Sequence, residues 1–186
     1  MTAQPVPTDP TPADPVPGLG WTTVTTPDGP FTILVDDAET VFAAGWTESP
    51  DYLDALISTS LRIDGLHQRA PGSAADAVLA YYDGDFGAPS RIAVRQDAGP
   101  FIQESWAALR RVAPGHPVTY ARLAELAGRP TAVRGAAQCC VRNAAALFVP
   151  CHRVTRSDGT LGGYRYGLAL KALLLDREAI DLDVAV

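Results

Sequence analysis

One segment constrains the chain most. Leu147-Phe148-Val149 is an apolar, strand-like run that must be buried, and it delivers Pro150-Cys151-His152-Arg153-Val154, a thiol flanked by Pro and His. A glycine-rich stretch follows, with Gly159, Gly162-Gly163-Tyr164 and Gly167, then a helical pattern through Leu168, Leu170, Lys171, Leu173, Leu174 and Leu175 to about Glu178. Such an order reads as strand, flexible loop and helix packed around one cysteine. In an extended segment neighbouring side chains point to opposite sides, so a base must reach the thiol through a turn or a water.

Upstream, Gly99-Pro100 marks a boundary, and Ile102, Trp106, Leu109 and Val112 recur at helical spacing until Pro114-Gly115. Thr119 is the expected N-cap of a short helix over 120–127, with Leu123 and Leu126 inward. Gly128-Arg129-Pro130 forms a turn, and Thr131 is expected to cap a second helix from Ala132 to about Val141. Two short helices joined this way describe a helix-turn-helix. The second helix offers Ala132, Val133, Gly135, Ala136 and Ala137 with one long charged side chain, Arg134. That composition suits close approach to a minor groove and insertion of one Arg; the alternative is a core helix packed through small residues.

The first half is simpler. Residues 1–20 hold six prolines and read as a disordered Pro-rich tail. Trp21–Thr26 and Phe31–Val35 read as strands around an Asp28-Gly29-Pro30 turn, and Val41–Trp46 as a third. Helices are expected over 52–60 and 74–83, and a further strand over 91–95. The unit is α+β and carries no catalytic constellation.

Charge divides the chain. The formal net charge is −6, yet residues 105–171 carry ten basic residues against only Glu125 and Asp158. This asymmetry is a hint of a nucleic-acid face, with a solvated basic surface as the alternative. No apolar run approaches the ~20 residues a bilayer requires, so no membrane partner is expected. Met1–Pro17 has neither a basic cluster nor an apolar stretch of the secretory kind. Three cysteines, two of them the adjacent Cys139 and Cys140, make no disulfide framework and fit a cytoplasmic location.

From residue 100 to 178 the chain resembles the O6-alkylguanine-DNA alkyltransferases, also called methylated-DNA–protein-cysteine methyltransferases. The resemblance rests on Pro150-Cys151-His152-Arg153-Val154, Gly162-Gly163-Tyr164, Lys171 and Glu178. It extends upstream through Val118-Thr119-Tyr120, Leu123-Ala124, Gly128-Arg129-Pro130, Arg134 and Asn143. It implies an α+β protein: a small N-terminal ribonuclease H-like α/β domain over 21–97, then a winged helix-turn-helix domain over 98–186 that carries the cysteine. The implied activity is repair of double-stranded DNA through the minor groove, without cofactor or metal, by a monomer. O6-alkylguanine, and O4-alkylthymine with it, is flipped out, and its alkyl group moves irreversibly to Cys151.

The resemblance also implies roles. Glu178 orients His152, which takes the Cys151 proton through a water. Tyr120 rotates the nucleotide and donates toward the purine, and Arg134 fills the vacated stack. Thr119, Ala132, Val133 and Gly135 lie at the DNA, and Asn143 is the hinge. Pro150, the carbonyls of Cys151 and Val154, Tyr164 and the amide of Arg165 shape the pocket, with Lys171 nearby. Some members hold an N-terminal zinc; here no cysteine precedes Cys139, and His67 and His116 are expected at the surface. Bacterial relatives usually carry Asn and Gly at the positions of Cys140 and Val141, and Pro at those of Ala144 and Ala146. Cys140 is therefore expected to line the pocket, and the bulky Arg165 and Tyr166 to narrow it or reach a phosphate. A thiol hydrolase would share the Cys, His and Glu but would turn over. A plain DNA-binding regulator would leave Cys151 structural.

Overall fold

The computed structural model describes residues 18–179. Residues 1–17 of the expected tail lie outside them, whereas Leu19 and Gly20, read with the tail, already belong to a strand. Four strands, β1 (Leu19–Thr26), β2 (Gly29–Val35), β3 (Val41–Trp46) and β4 (Leu66–Gln68), form a sheet of order β3-β2-β1-β4. β1 and β2 make an antiparallel hairpin closing at Thr26 and Gly29. Gly29 takes φ 112°, a conformation that a Cβ disfavours. β4, which pairs in parallel with β1, was not anticipated: three residues are too few to show a period. Helix α2 (Ser73–Tyr82) buries Ala74, Ala75, Val78 and Tyr81.

Two expectations fail in this half. The helix over 52–60 is a five-residue helix, α1 (Pro50–Asp54), followed by a separate 3₁₀ turn at Thr59–Leu61. Ser49 caps α1 and Pro50 starts it. The strand over 91–95 is absent; a 3₁₀ turn ends at Arg91, and the following residues bond to the β3 backbone at Val41 alone among the described residues, with Arg95 lying over the Phe42 ring.

That contact matters because the outer edge of β3 is closed by two segments. Val41 N–H donates to Ala93 O and Arg95 N–H to Val41 O. Ala44 N–H donates to Ala144 O and Ala146 N–H to Ala44 O. The N-terminal sheet thus holds residues 144–146 through backbone hydrogen bonds, and the run over 147–149 that follows is a turn rather than the strand expected.

The second half contains α3 (Pro100–Leu109), α4 (Tyr120–Leu126), α5 (Val133–Arg142) and α6 (Leu168–Ala179). α3 ends at Leu109, and Val112 packs from the turn beyond it. Thr119 caps α4 through its hydroxyl oxygen, which accepts from Arg122 N–H at 3.1 Å. Leu126 is 40% exposed rather than inward, because α4 has only two turns and Leu123 and Ala124 already fill its buried face. Thr131 does not cap α5; the N-cap is Ala132, with no side-chain bond. Two-residue strands β5 (Val118–Thr119) and β6 (Val154–Thr155) pair in parallel. Phe31, Ile33, Tyr81, Leu109, Leu123, Phe148 and Leu174 belong to one contiguous buried cluster shared by both halves. No helix among the described residues is long and apolar enough to cross a membrane.

Candidate active site

Asn143 leaves the end of α5 in extended conformation and is 4% exposed. Its Nδ2 donates to Val149 O at 2.7 Å and to Cys151 Sγ at 3.2 Å. Leu147, buried in between, adopts φ 67°, a left-handed conformation costing on the order of 1 kcal/mol in a non-glycine residue. The turn is held by Phe148 N–H to Ala146 O and Val149 N–H to Ala145 O, both at 2.9 Å.

Cys151, His152 and Arg153 form a 3₁₀ turn, not the extended segment expected from the sequence. Three residues per turn aim successive side chains about 120° apart. Cys151 accordingly faces a cavity, while His152 and Arg153 point into the core. His152 is fully buried, and its Nε2 lies 2.8 Å from Glu178 Oε1. Its Nδ1 has no hydrogen-bond partner among the described residues.

Glu178 gathers four hydrogen bonds. Besides His152, Oε1 accepts from Tyr81 Oη at 3.0 Å and Arg153 Nη2 at 2.9 Å. Oε2 accepts from Arg153 Nε at 2.9 Å. Burial pushes its carboxyl up, but the hydrogen bonds and charges of His152 and Arg153 outweigh burial and hold it at about 2. Burial lowers His152 more than the Glu178 carboxylate raises it, favouring the neutral ring. Arg153 also donates to Val112 O at 2.7 Å and Phe86 O at 3.2 Å, so it spans both halves.

Burial, with Cys140 adding to it, pushes the Cys151 thiol up to about 12; the Asn143 bond, Lys171 and Arg165 act the other way. A free thiolate is therefore scarce at neutral pH, and reaction requires that the proton leave as sulfur attacks.

The cavity in front of Cys151 measures about 320 Å³ and is lined by Tyr120, Cys140, Val141, Gly163, Tyr164 and Arg165, among others. Gly162, at φ 69°, leaves room for the Tyr120 ring; a Cβ there would lie 2.8 Å from Tyr120 Oη. Tyr164 Oη is buried without a hydrogen-bond partner among the described residues. Cys140 lines the cavity, half-buried. Pro150 is buried behind Cys151. Lys171 is fully buried, and its ammonium donates to the carbonyls of Val154 and Leu161, tying α6 to the loop. Val154 O is thus already engaged, as is Cys151 O by Val154 N–H; each keeps one lone pair.

Arg165 and Tyr166 diverge. Arg165 lines the cavity, with Nη2 donating to Val141 O at 2.6 Å. Tyr166 turns away from it. Its ring packs 5.3 Å from Trp46, and Gly45 makes the space, since a Cβ there would lie 1.7 Å from Tyr166 Oη. Tyr166 clamps the loop to β3 and narrows nothing.

On α5, Arg134 and Val133 are exposed and Ala132 is half-buried, while Thr119 uses its side-chain oxygen as a cap. Gly135 is not on the outward face. A Cβ there would lie 2.5 Å from the Phe101 ring, so its small size serves the packing of α3 on α5. His116 is exposed and His67 half-buried on β4.

A family model described as the DNA binding domain of 6-O-methylguanine DNA methyltransferase matches residues 100–180. A methylated-DNA–protein-cysteine methyltransferase of Salmonella typhimurium is 31% identical over 158 residues, covering 83% of this chain and 92% of that protein. The chain belongs to the methylated-DNA–protein-cysteine methyltransferase family. The Escherichia coli bifunctional transcriptional activator/DNA repair enzyme Ada is 52% identical over 79 residues, which cover 42% of this chain but only 22% of Ada. The Mycobacterium tuberculosis OGT solved in complex with DNA superposes with a TM-score of 0.69 at 26% identity, covering 87% of this chain and 93% of that one. For this methyltransferase-family chain, sequence reasoning missed three members of the site. Arg153 lay inside the recognised motif without a role. Tyr81 and Gln96, the latter bonded to Asn143, come from the half without a constellation, and a single Tyr or Gln carries no periodic or spacing signal.

Proposed function

We propose that the chain reverses DNA alkylation by a single irreversible transfer from O6-alkylguanine, and from O4-alkylthymine, to Cys151. The observation that carries the reading is the position of Cys151 Sγ at a cavity, with the buried His152–Glu178 pair directly behind it. The open Nδ1 of His152 suits a proton path from the thiol through one water. Sulfur attacks the alkyl carbon, the S–C bond forms and the C–O6 bond breaks, leaving its electron pair on guanine. The thiol proton goes to His152, whose positive charge Glu178 stabilises, and Tyr120 donates to the purine. A thioether does not release the alkyl group, so one chain repairs one lesion.

In this reading the α4–turn–α5 unit with the β5–β6 ladder is a winged helix-turn-helix, and the N-terminal sheet is a small ribonuclease H-like unit. Ala132, Val133 and Thr119 approach the minor groove, and Asn143 is the hinge. A cytoplasmic monomer working without metal or cofactor suffices. The test is intact mass after incubation with a duplex carrying one O6-methylguanine. One methyl per chain on the Cys151 peptide, with no second equivalent, is expected; turnover or an unmodified Cys151 would overturn the reading.

DNA affinity should fall steeply with salt despite the acidic net charge. Three to five phosphate contacts from the basic segment give a log–log slope of roughly −2.7 to −4.5. Filter or anisotropy titration across salt checks this, and a flat response would remove the basic half as the DNA face.

Arg134→Ala should damage transfer from duplex more than from free O6-benzylguanine. Arg134 is exposed in the first turn of α5, where its neighbours Val133, Gly135 and Ala136 are short, so it is the long side chain placed there to fill the gap left by a flipped nucleotide. Its loss raises the cost of the extrahelical state by about 1–3 kcal/mol, a factor on the order of 10 to 100 in the duplex rate. Equal loss on both substrates would assign Arg134 to the fold.

A further inference from the structure

Gln96 lies on the link between the halves, one residue beyond the bond from Arg95 N–H to Val41 O. Its side chain makes two complementary bonds to the hinge. Nε2 donates to Asn143 Oδ1 at 3.1 Å, and Oε1 accepts from Ala144 N–H at 2.7 Å. Asn143 Oδ1 also accepts from Ala145 N–H at 3.1 Å. With both donors on its oxygen, the Asn143 amide has one favourable orientation, with Nδ2 toward Val149 O and Cys151 Sγ. Turned over, it would set its oxygen against the sulfur and two N–H groups against its own nitrogen.

We infer that Gln96 is a positioning residue for Cys151, fixing the Asn143 amide so that an N–H rather than an oxygen faces the reacting sulfur. The inference rests on Cys151 being the alkyl acceptor. Negative charge develops on sulfur as its proton leaves, and an N–H donor 3.2 Å away stabilises it where a carbonyl oxygen would oppose it. The contribution therefore belongs to attack, not to DNA binding. The N-terminal half, through the linker that pairs with β3, thereby takes part in the chemistry of the other half.

Two variants of similar volume separate this role from simple packing. Gln96→Met removes both bonds. Gln96→Glu keeps an acceptor for Ala144 N–H but faces Asn143 Oδ1 with a second oxygen, favouring the turned amide. The rate of Cys151 alkylation by iodoacetamide, followed by mass of the Cys151 peptide, is measured between pH 6.5 and 9.5. The other groups that bear on the sulfur are unchanged in both variants: His152, Cys140, Tyr120, Tyr164, Tyr166, Arg165 and Lys171. The Gln96→Glu line should be displaced by about one pH unit to the alkaline side, about tenfold slower at a given pH, with Gln96→Met in between. Transfer from O6-methylguanine duplex should slow in the same order, with DNA affinity within twofold.

Rates within twofold of the unaltered protein at every pH, whatever the loss in melting temperature, would overturn the inference. A measurement on the unaltered chain needs no variant to fold. Methylation of Cys151 should move the side-chain amide NMR signals of both Asn143 and Gln96, and a stationary Gln96 signal would equally overturn it. Failure of the unaltered protein to accept any methyl from DNA would instead strike the alkyl-acceptor reading.

Discussion

Cys151→Ser is expected to abolish methyl transfer completely while leaving affinity for alkylated duplex intact. The substitution is nearly isosteric at a residue 9% exposed, and a hydroxyl can still accept from Asn143 Nδ2, so the hinge and the 3₁₀ turn persist. The chemistry does not persist. The surroundings already push the thiol to about 12, and an alcohol is far more reluctant to release its proton and less nucleophilic once it has. Intact mass should show no methyl on the variant after incubation with excess O6-methylguanine duplex, where the unaltered chain takes one. Anisotropy titration should give matching affinities. Stoichiometric transfer to the serine variant would move the acceptor elsewhere, and Cys140 on the same cavity wall is the thiol to inspect.

Glu178→Gln is expected to slow transfer by ~10²-fold or more and also to cost several kcal/mol of stability. His152 needs the carboxylate as it becomes cationic. The same carboxylate is the only acidic partner of Arg153 among the described residues, and Arg153 is 2% exposed. Removing one side of a buried pair leaves the other charge uncompensated, at roughly 3–5 kcal/mol. A glutamine also turns an N–H toward one of the donors now pointing at Glu178. Single-turnover rates at saturating duplex and urea unfolding read the two effects separately. A rate within twofold of the unaltered protein would mean that the His152–Glu178 pair plays no part in proton removal.

The acid limb of the stability curve carries the same signature. Glu178 falls from its ordinary 4.5 to about 2 on folding, so its contribution is complete above 4.5 and disappears as pH falls through 2. It amounts to on the order of 3 kcal/mol. His152 adds in the same direction, being held below its ordinary 6.5, so its share is present above 6.5 and is lost on acidification. The variant should lose the Glu178 part, flattening its profile between pH 4.5 and 2. An unchanged acid limb would show that Glu178 is not the group titrating there.

What the sequence determined by itself was whatever local rules can fix. The Thr26–Gly29 hairpin, the Thr119 cap and the strand at Val41–Trp46 each depend on residues within a few positions, and all three occur. The motif from Pro150 to Val154, with its spaced Gly162-Gly163-Tyr164, Lys171 and Glu178, marked the segment that lines the cavity and the carboxylate behind it. Periodicity failed where segments were too short to show it, at β4, β5 and β6, and where a two-turn helix left Leu126 facing out.

The tertiary structure alone decided which distant groups meet. Tyr81 reaches Glu178 from 97 positions away, because α2 and α6 both bury residues in one core. Gln96 reaches Asn143 because two segments close the edge of one strand. Lys171 is buried because two carbonyls of the loop stand where its ammonium arrives. Tyr166 leaves the pocket because Gly45 offers a space that any side chain would fill. A sequence records the donors and acceptors; burial, which makes an unmet one costly, depends on which faces of the folded chain come together.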